Sequence, residues 1–163
     1  MEDYIVIKGN KKEPYECFLL QFDGKSEPNP GPSSSGIVLF GPVVEKSGNY
    51  FRKKLLESGC YITHATNNQA EYDGLLLGLT KAFLLNIRNL VIEGDSNLII
   101  NQVCNKWQVK DSRLKVLYDK VTTLLELFDY VAIKHVYRDK NKLADKITNI
   151  VHELKHDYEK EYK

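Results

Sequence analysis

Apolar and polar positions alternate in two periods along this chain, and the switch between them divides it into elements. Cys17-Phe18-Leu19-Leu20-Gln21-Phe22-Asp23-Gly24 is an apolar run of strand length that meets a carboxylate and breaks at glycine, the pattern of a buried strand delivering one charge to a sheet edge. Ser35 to Phe40 and Tyr50 to Leu56 read as two further strands, with Gly41-Pro42 and Ser47-Gly48-Asn49 as turn material, so the three form an antiparallel meander. Between the first two, Ser26-Glu27-Pro28-Asn29-Pro30-Gly31-Pro32 holds three prolines and a glycine, which predicts a stiff irregular loop.

The period then lengthens. Thr66-Asn67-Asn68-Gln69-Ala70-Glu71 has capping character, and Ala70, Leu75, Leu79, Ala82 and Phe83 recur at helical spacing up to about Asn86. Gly74 and Gly78 each cost this helix about 1 kcal/mol relative to alanine, which points to a close approach to a sheet. Asn89 to Asp95 repeats the opening theme, an apolar strand ending in Gly-Asp, and a helix follows from Ser96 to about Trp107. Asp111 to Phe128 carries a strong helical stripe, Tyr130 to Val136 is a strand, and Arg138 to Asn141 turns the chain into a last helix from about Lys142. Residues 155–161 predict a charged, fraying tail. The order of elements fits an α/β fold with a mixed five-stranded sheet, three antiparallel strands followed by parallel ones, and helices on both faces.

Length sets one domain: 163 residues bury about two-thirds of the unfolded surface without cross-links. The expected division is an N-terminal extension at 1–16, a domain at 17–158 and a charged tail at 159–163. Tyr4 to Ile7 is the one apolar patch of the extension and suits an edge strand or a loose arm, with turn chemistry from Lys8 to Pro14. A net charge of +1 means that nucleic acid as a partner must rest on a local site and not on bulk charge. Cys17, Cys60 and Cys104 are odd in number and lack metal-ligand spacing, so they read as small core residues in a reducing compartment. No run approaches the roughly 20 apolar residues of a membrane span, and the start lacks a targeting pattern, so a soluble, intracellular protein is expected, in cytoplasm or nucleus.

Four carboxylates stand where side chains gather: Asp23 in the first strand, Glu71 in the first turn of the first helix, Asp95 after the fourth strand and Asp145 in the last helix. Singly, each has an ordinary explanation as turn, dipole partner, cap or solvated face. Jointly they imply more, because a crossover helix makes the Asp23 and Asp95 strands parallel neighbours. Assembled carboxylates repel and call for compensating cations, and all-oxygen ligands favour Mg²⁺ or Mn²⁺ over zinc. Two ions about 4 Å apart suit in-line displacement at phosphorus.

The motifs F-D-G and N-P-G-P (Phe22 to Gly24, Asn29 to Pro32), T-N-N-x-A-E-Y-x-G-L (Thr66 to Leu75), E-G-D-S-N-L-I-I-N-Q (Glu93 to Gln102) and H-V-x-R-x-x-N-x-x-A-D (His135 to Asp145) resemble the type I ribonuclease H family, in its compact reverse-transcriptase-like subgroup. The resemblance spans residues 18 to about 150. It implies a ribonuclease H fold and hydrolysis of the RNA strand of RNA–DNA hybrids with two Mg²⁺, Mn²⁺ being the alternative, held by Asp23, Glu71, Asp95 and Asp145. It further implies minor-groove contacts from Asn29, Asn67, Asn68 and Gln69, where amides can address the RNA 2′-hydroxyl as donor or acceptor. Gly24 and Asn141 lie inside the motifs as substrate contacts, Thr66 and Ser96 as phosphate contacts, and Trp107 as an aromatic against the DNA strand or else a core residue.

The pattern also departs from the family. His135 lies in a strand as a structural residue, and Arg138 occupies the loop before Asp145. A guanidinium does not give up its proton near neutral pH, so Arg138 is assigned to phosphate contact and charge stabilisation. Ser33-Ser34-Ser35-Gly36 stands where the family has a glycine-rich segment, which leaves the shape of that loop open. No basic helix or separate hybrid-binding domain is expected, nor an obligate protein partner, and a monomer is expected; affinity should be modest and salt-dependent. Two alternatives stay open: a catalytically weak or inactive binding module, and a DNA nuclease or junction resolvase on the same fold.

Overall fold

The computed structural model describes residues 4–10 and 16–163. The turn chemistry expected from Lys11 to Pro14 therefore lies outside the described residues. The chain runs β1 (Ile5–Lys8), β2 (Phe18–Ser26), β3 (Gly31–Lys46), β4 (Asn49–Ala65), α1 (Asn67–Leu84), β5 (Asn89–Gly94), α2 (Asn97–Val103), α3 (Ser112–Leu125), β6 (Tyr130–His135), a 3₁₀ turn (Arg138–Lys140), α4 (Lys142–Leu154) and β7 (Tyr158–Glu161).

These strands form one mixed sheet of seven in the order β1-β6-β5-β2-β3-β4-β7. Its centre is the expected five-stranded arrangement, with β2, β3 and β4 antiparallel and β2, β5 and β6 parallel. The count of five is corrected by a strand at each edge. β1 pairs antiparallel with β6, and β7 pairs antiparallel with β4, where a fraying tail was expected. The cause lies at Lys155, which ends α4 in the left-handed conformation (φ 59°) with its N–H donating to Val151 O at 2.8 Å. That turn sends the chain back along β4, and the Lys81–Glu159 ion pair (2.6 Å) fastens it to α1.

Two other expectations change. Gly41-Pro42 does not turn the chain but sits inside β3, where the register against β4 slips between Phe40 and Val43. The turn is at Ser47-Gly48, and both residues have positive φ. Ser33 to Ser35 form no loop either; they are fully buried inside β3. Meanwhile α2 ends at Val103, short of Trp107, with Asn105 in the left-handed region just beyond it.

Helices cover both faces of the sheet, and the alternation of side chains along β3 shows which. Ile37 and Leu39 pack with Leu20, Phe22, Leu75 and Leu79 beneath α1, while Val38 between them packs with Ile147 and Val151 of α4. Each such side chain contributes about 1.5–3 kcal/mol by leaving water, so these positions dominate the stability of the central sheet. Cys17, Cys60 and Cys104 form no disulfide with one another, and Cys17 is buried while the others are half-buried. Among the described residues no helix is long and apolar enough to cross a membrane.

Candidate active site

Parallel pairing of β2 and β5 sets Phe22 opposite Gly94, so Asp23 and Asp95 emerge side by side where the two strands part. Glu71 arrives from the first turns of α1, and glycines allow that approach. A β-carbon on Gly24 would lie 2.2 Å from the Ala70 carbonyl carbon, and one on Gly74 would lie 2.6 Å from Asp23 O. From β3, Ser35 Oγ donates to Ala70 O at 2.7 Å and fixes the same turn of helix. In consequence Asp23, Glu71 and Asp95 each offer a carboxylate oxygen, all within 4.8 Å of one another. Asp145 stands outside this trio, on α4, near enough for its charge to act on Asp23 and Asp95.

Electrostatics mark the trio as unusual. Burial first, then the Asp95 charge, pushes the Asp23 carboxyl up to about 7. Burial, followed by the Asp23 and Asp95 charges, lifts Glu71 well above the ordinary carboxylate range. Glu71 Oε2 is buried without a hydrogen-bond partner. Burial also raises Asp95, against the lowering effects of the Arg138 charge and an Asn141 hydrogen bond. Three acids crowded in this way, one with an orphaned oxygen, form a donor set suited to a hard divalent cation in place of the protons.

The surrounding residues divide into supports and surface groups. Asn141 is fully buried and its Nδ2 donates to Phe22 O at 2.9 Å, so it stands behind the carboxylates and not on the surface that a substrate contact would need. His135 Nε2 lies 3.2 Å from Asp95 O, in agreement with a structural role in its strand, and its ring meets exposed Tyr137 edge-on. Arg138 begins the 3₁₀ turn, close enough to Asp95 to oppose the rise in its pKa. Gly24 supplies a backbone N–H to Asp23 and Glu71.

Beside the trio, the start of α1 and the loop after β2 enclose a hollow of ≈ 380 Å³ lined by Asn29, Thr66, Asn67, Asn68 and Gln69. The helix cap is Thr66, in a capping box with Gln69, so neither asparagine is spent on capping. Buried Ser26 ties the two together. Its N–H donates to Asn67 Oδ1 at 2.7 Å, its hydroxyl to Asn29 Oδ1 at 3.1 Å, and Asn67 N–H donates to Asn29 Oδ1 at 3.0 Å. With their Oδ1 atoms engaged in this way, Asn29 and Asn67 line the hollow as amides whose remaining polar groups are N–H donors. Ser96 is likewise a cap, its Oγ accepting from Ile99 N. Trp107 is 47% exposed in the loop between α2 and α3, which rules out the core alternative.

Sequence reasoning missed several contributors. Asp111 and Arg113 also line the amide hollow, paired at 3.2 Å, because α3 starts beside α1. Asn149 directs Nδ2 at Asp145 Oδ2 at 3.5 Å, and only its i+4 spacing on α4 signals that contact. Ser26 and Ser35 gave no signal at all, since a serine in a strand is unremarkable without its partners.

Comparison with known proteins agrees with this geometry. The sequence profile of the family described as reverse transcriptase-like matches residues 21–151. The ribonuclease HI of Halobacterium salinarum is 38% identical over 128 residues, 78% of this chain, and the chain spans 60% of that relative's length. Among solved structures, the N-terminal RNase H domain of a Mycobacterium tuberculosis protein superposes with a TM-score of 0.75 at 32% identity, over 86% of this chain and 96% of that one. A structure of LC11-RNase H1 in complex with an RNA/DNA hybrid matches with a TM-score of 0.70 at 28% identity, over 82% and 94%. On the profile match, supported by these relatives, the chain belongs to the reverse transcriptase-like family of type I ribonuclease H proteins.

Proposed function

We propose that this protein is an endonuclease that hydrolyses the RNA strand of RNA–DNA hybrids with two divalent ions, Mg²⁺ in the first place and Mn²⁺ as the substitute. The observation that carries the reading is the trio Asp23, Glu71 and Asp95 within 4.8 Å, with Glu71 Oε2 buried and unpartnered. Those three carboxylates and Asp145 would hold the ions, which when bound supply positive charge at the attacked phosphate and its oxygens.

The chain's own groups do the rest. Asp23 sits on a strand covered on both faces, so its carboxylate is held rigid. Arg138, permanently charged and close to Asp95, contributes to phosphate binding and stabilises negative charge that grows in the transition state. Selectivity for RNA comes from the hollow beside the trio. Asn29 and Asn67 line it and bring amide N–H donors, so a 2′-oxygen is read there as an acceptor, and a deoxyribose offers nothing in its place.

The experiment is a cleavage assay with labelled RNA–DNA hybrid, single-stranded RNA, double-stranded RNA, DNA duplex and a four-way junction, in Mg²⁺, Mn²⁺ and EDTA. Cleavage of the hybrid alone, abolished by EDTA, is expected. Cleavage of DNA duplex or junction would instead indicate a DNA nuclease or resolvase, and tight hybrid binding without cleavage a binding module.

A further inference from the structure

Lys142, Asp145, Lys146 and Asn149 lie on one side of α4, three and four positions apart, and with Arg138 and Asp139 they line an open hollow of ≈ 570 Å³. Lys142 and Lys146 are exposed, and neither has an ion-pair partner among the described residues. Their placement opposes elementary electrostatics twice. Lys142 is the first residue of α4, at the positive end of the helix dipole, and the two lysines are like charges at i, i+4. On α3 the same spacing holds a compensated pair, Lys115 with Asp119 at 2.8 Å. A third lysine, Lys25 of β2, donates to Asn149 Oδ1, so the patch draws cations from the sheet as well as from the helix. In all, Lys25, Arg138, Lys142 and Lys146 face two carboxylates, Asp139 and Asp145, in a chain whose net charge is only +1.

Position tells what anion belongs there. The amide hollow lies at the start of α1 and the lysine hollow on α4, and these helices cover opposite faces of the sheet. A polyanion laid across the carboxylate trio with the amides on one side meets the lysines on the other. No aromatic ring lines the lysine hollow, so it offers charge to a backbone and no stacking surface to a base.

We propose that Lys142 and Lys146, with Lys25 bracing Asn149 beside them, form a subsite that grips the phosphodiester backbone of the bound nucleic acid on the α4 side of the carboxylates. The assignment rests on the reading that the trio acts on nucleic acid. Its contribution is independent of base sequence and passes through released counterions, so it appears in the salt dependence of binding.

The test compares the parent chain with K142Q/K146Q and K142R/K146R. Binding to RNA–DNA hybrid and to DNA duplex is followed by fluorescence anisotropy between about 50 and 200 mM salt, in a D23N background so that substrate persists. KM and kcat are then measured for the three proteins with Asp23 intact, and thermal midpoints are recorded. The glutamine pair should weaken hybrid binding about tenfold or more and lower the slope of log K against log salt by about two. The loss should fall in KM, the midpoint should not drop, and the arginine pair should keep the parent slope. An unchanged slope, or weakened binding that merely follows a lowered midpoint, overturns the subsite. If the parent cleaves hybrid and the slope does not change, the subsite alone is wrong. If the parent cleaves no hybrid but the glutamine pair loses slope on either duplex, the subsite stands and the hydrolase reading falls.

Discussion

Asn141 Nδ2 donates to Phe22 O at 2.9 Å, which ties the residue that precedes α4 to the strand residue that precedes Asp23. The same amide hydrogen-bonds to Asp95, so one fully buried side chain links α4 and two strands of the site. Asn141→Ala leaves the Phe22 carbonyl unsatisfied and should destabilise the protein by about 1–3 kcal/mol. Hybrid cleavage should fall with it, and Asn141→Ser should recover part of both. Urea melts alongside kcat at saturating hybrid check this.

Asp23→Asn should abolish hydrolysis yet stabilise the metal-free protein near neutral pH. The folded carboxyl is held at about 7 against an ordinary 3.8, so the folded state binds more protons between those values and its stability declines as pH rises through 7. Removing the charge should raise stability at about pH 8 by on the order of 2–4 kcal/mol, with the gain fading as pH falls towards 4. Thermal melts in EDTA across that range decide it; equal melting of the two proteins at every pH would refute the assignment.

Metal affinity should drop below pH 7. A divalent ion must displace the proton that burial and crowding favour on Asp23, so binding at about pH 6 should release about one proton. Calorimetry in two buffers of different ionisation enthalpy measures that number.

Gly24→Ala and Gly78→Ala should differ in kind. At Gly24 the added carbon meets backbone atoms of Ala70 and Glu71 at 2.2–2.5 Å, which must push α1 and Glu71 away. At Gly78 it meets the Leu20 side chain at 2.5–3.0 Å, which can repack. Both variants should lose stability, but only Gly24→Ala should lose most of its activity in excess of the unfolded fraction, as comparison of kcat with the folded fraction would reveal.

Trp107→Ala should change stability by no more than about 0.5 kcal/mol, since the ring is 47% exposed, while KM for hybrid rises. A large loss of stability with KM unchanged would return Trp107 to a packing role.

The centre of the fold was legible because its strands carry apolar runs, Phe18 to Leu20, Ile37 to Phe40 and Leu90 to Ile92, and its glycines are placed for close contact. Gly74 was expected to let a helix approach the sheet, and it lies against Asp23 O. The meeting of Asp23 with Asp95 followed from a parallel pair joined by a crossover helix, and Phe22 does face Gly94. The edges were not legible. Tyr158-Glu159-Lys160-Glu161 has no apolar alternation, and only the left-handed turn at Lys155 and the cross-strand bonds make it a strand. Within the site, motif position suggested a substrate contact for Asn141, because a motif records which residues recur and not which side of the backbone they serve. Ser26 escaped notice for the opposite reason: its importance lies in partners 3 and 41 positions away.

The last strand has a consequence far from the chemistry. β3 and β4 form the longest ribbon of the molecule, and an uncovered flank of β4 would present free backbone donors and acceptors to any neighbouring chain. β7 occupies that flank from Leu56 to Gly59, and its own sequence, Tyr-Glu-Lys-Glu, puts ionised groups on the new border. A second molecule that tried to extend the sheet there would have to strip water from those charges, so the border these four residues make opposes edge-to-edge stacking.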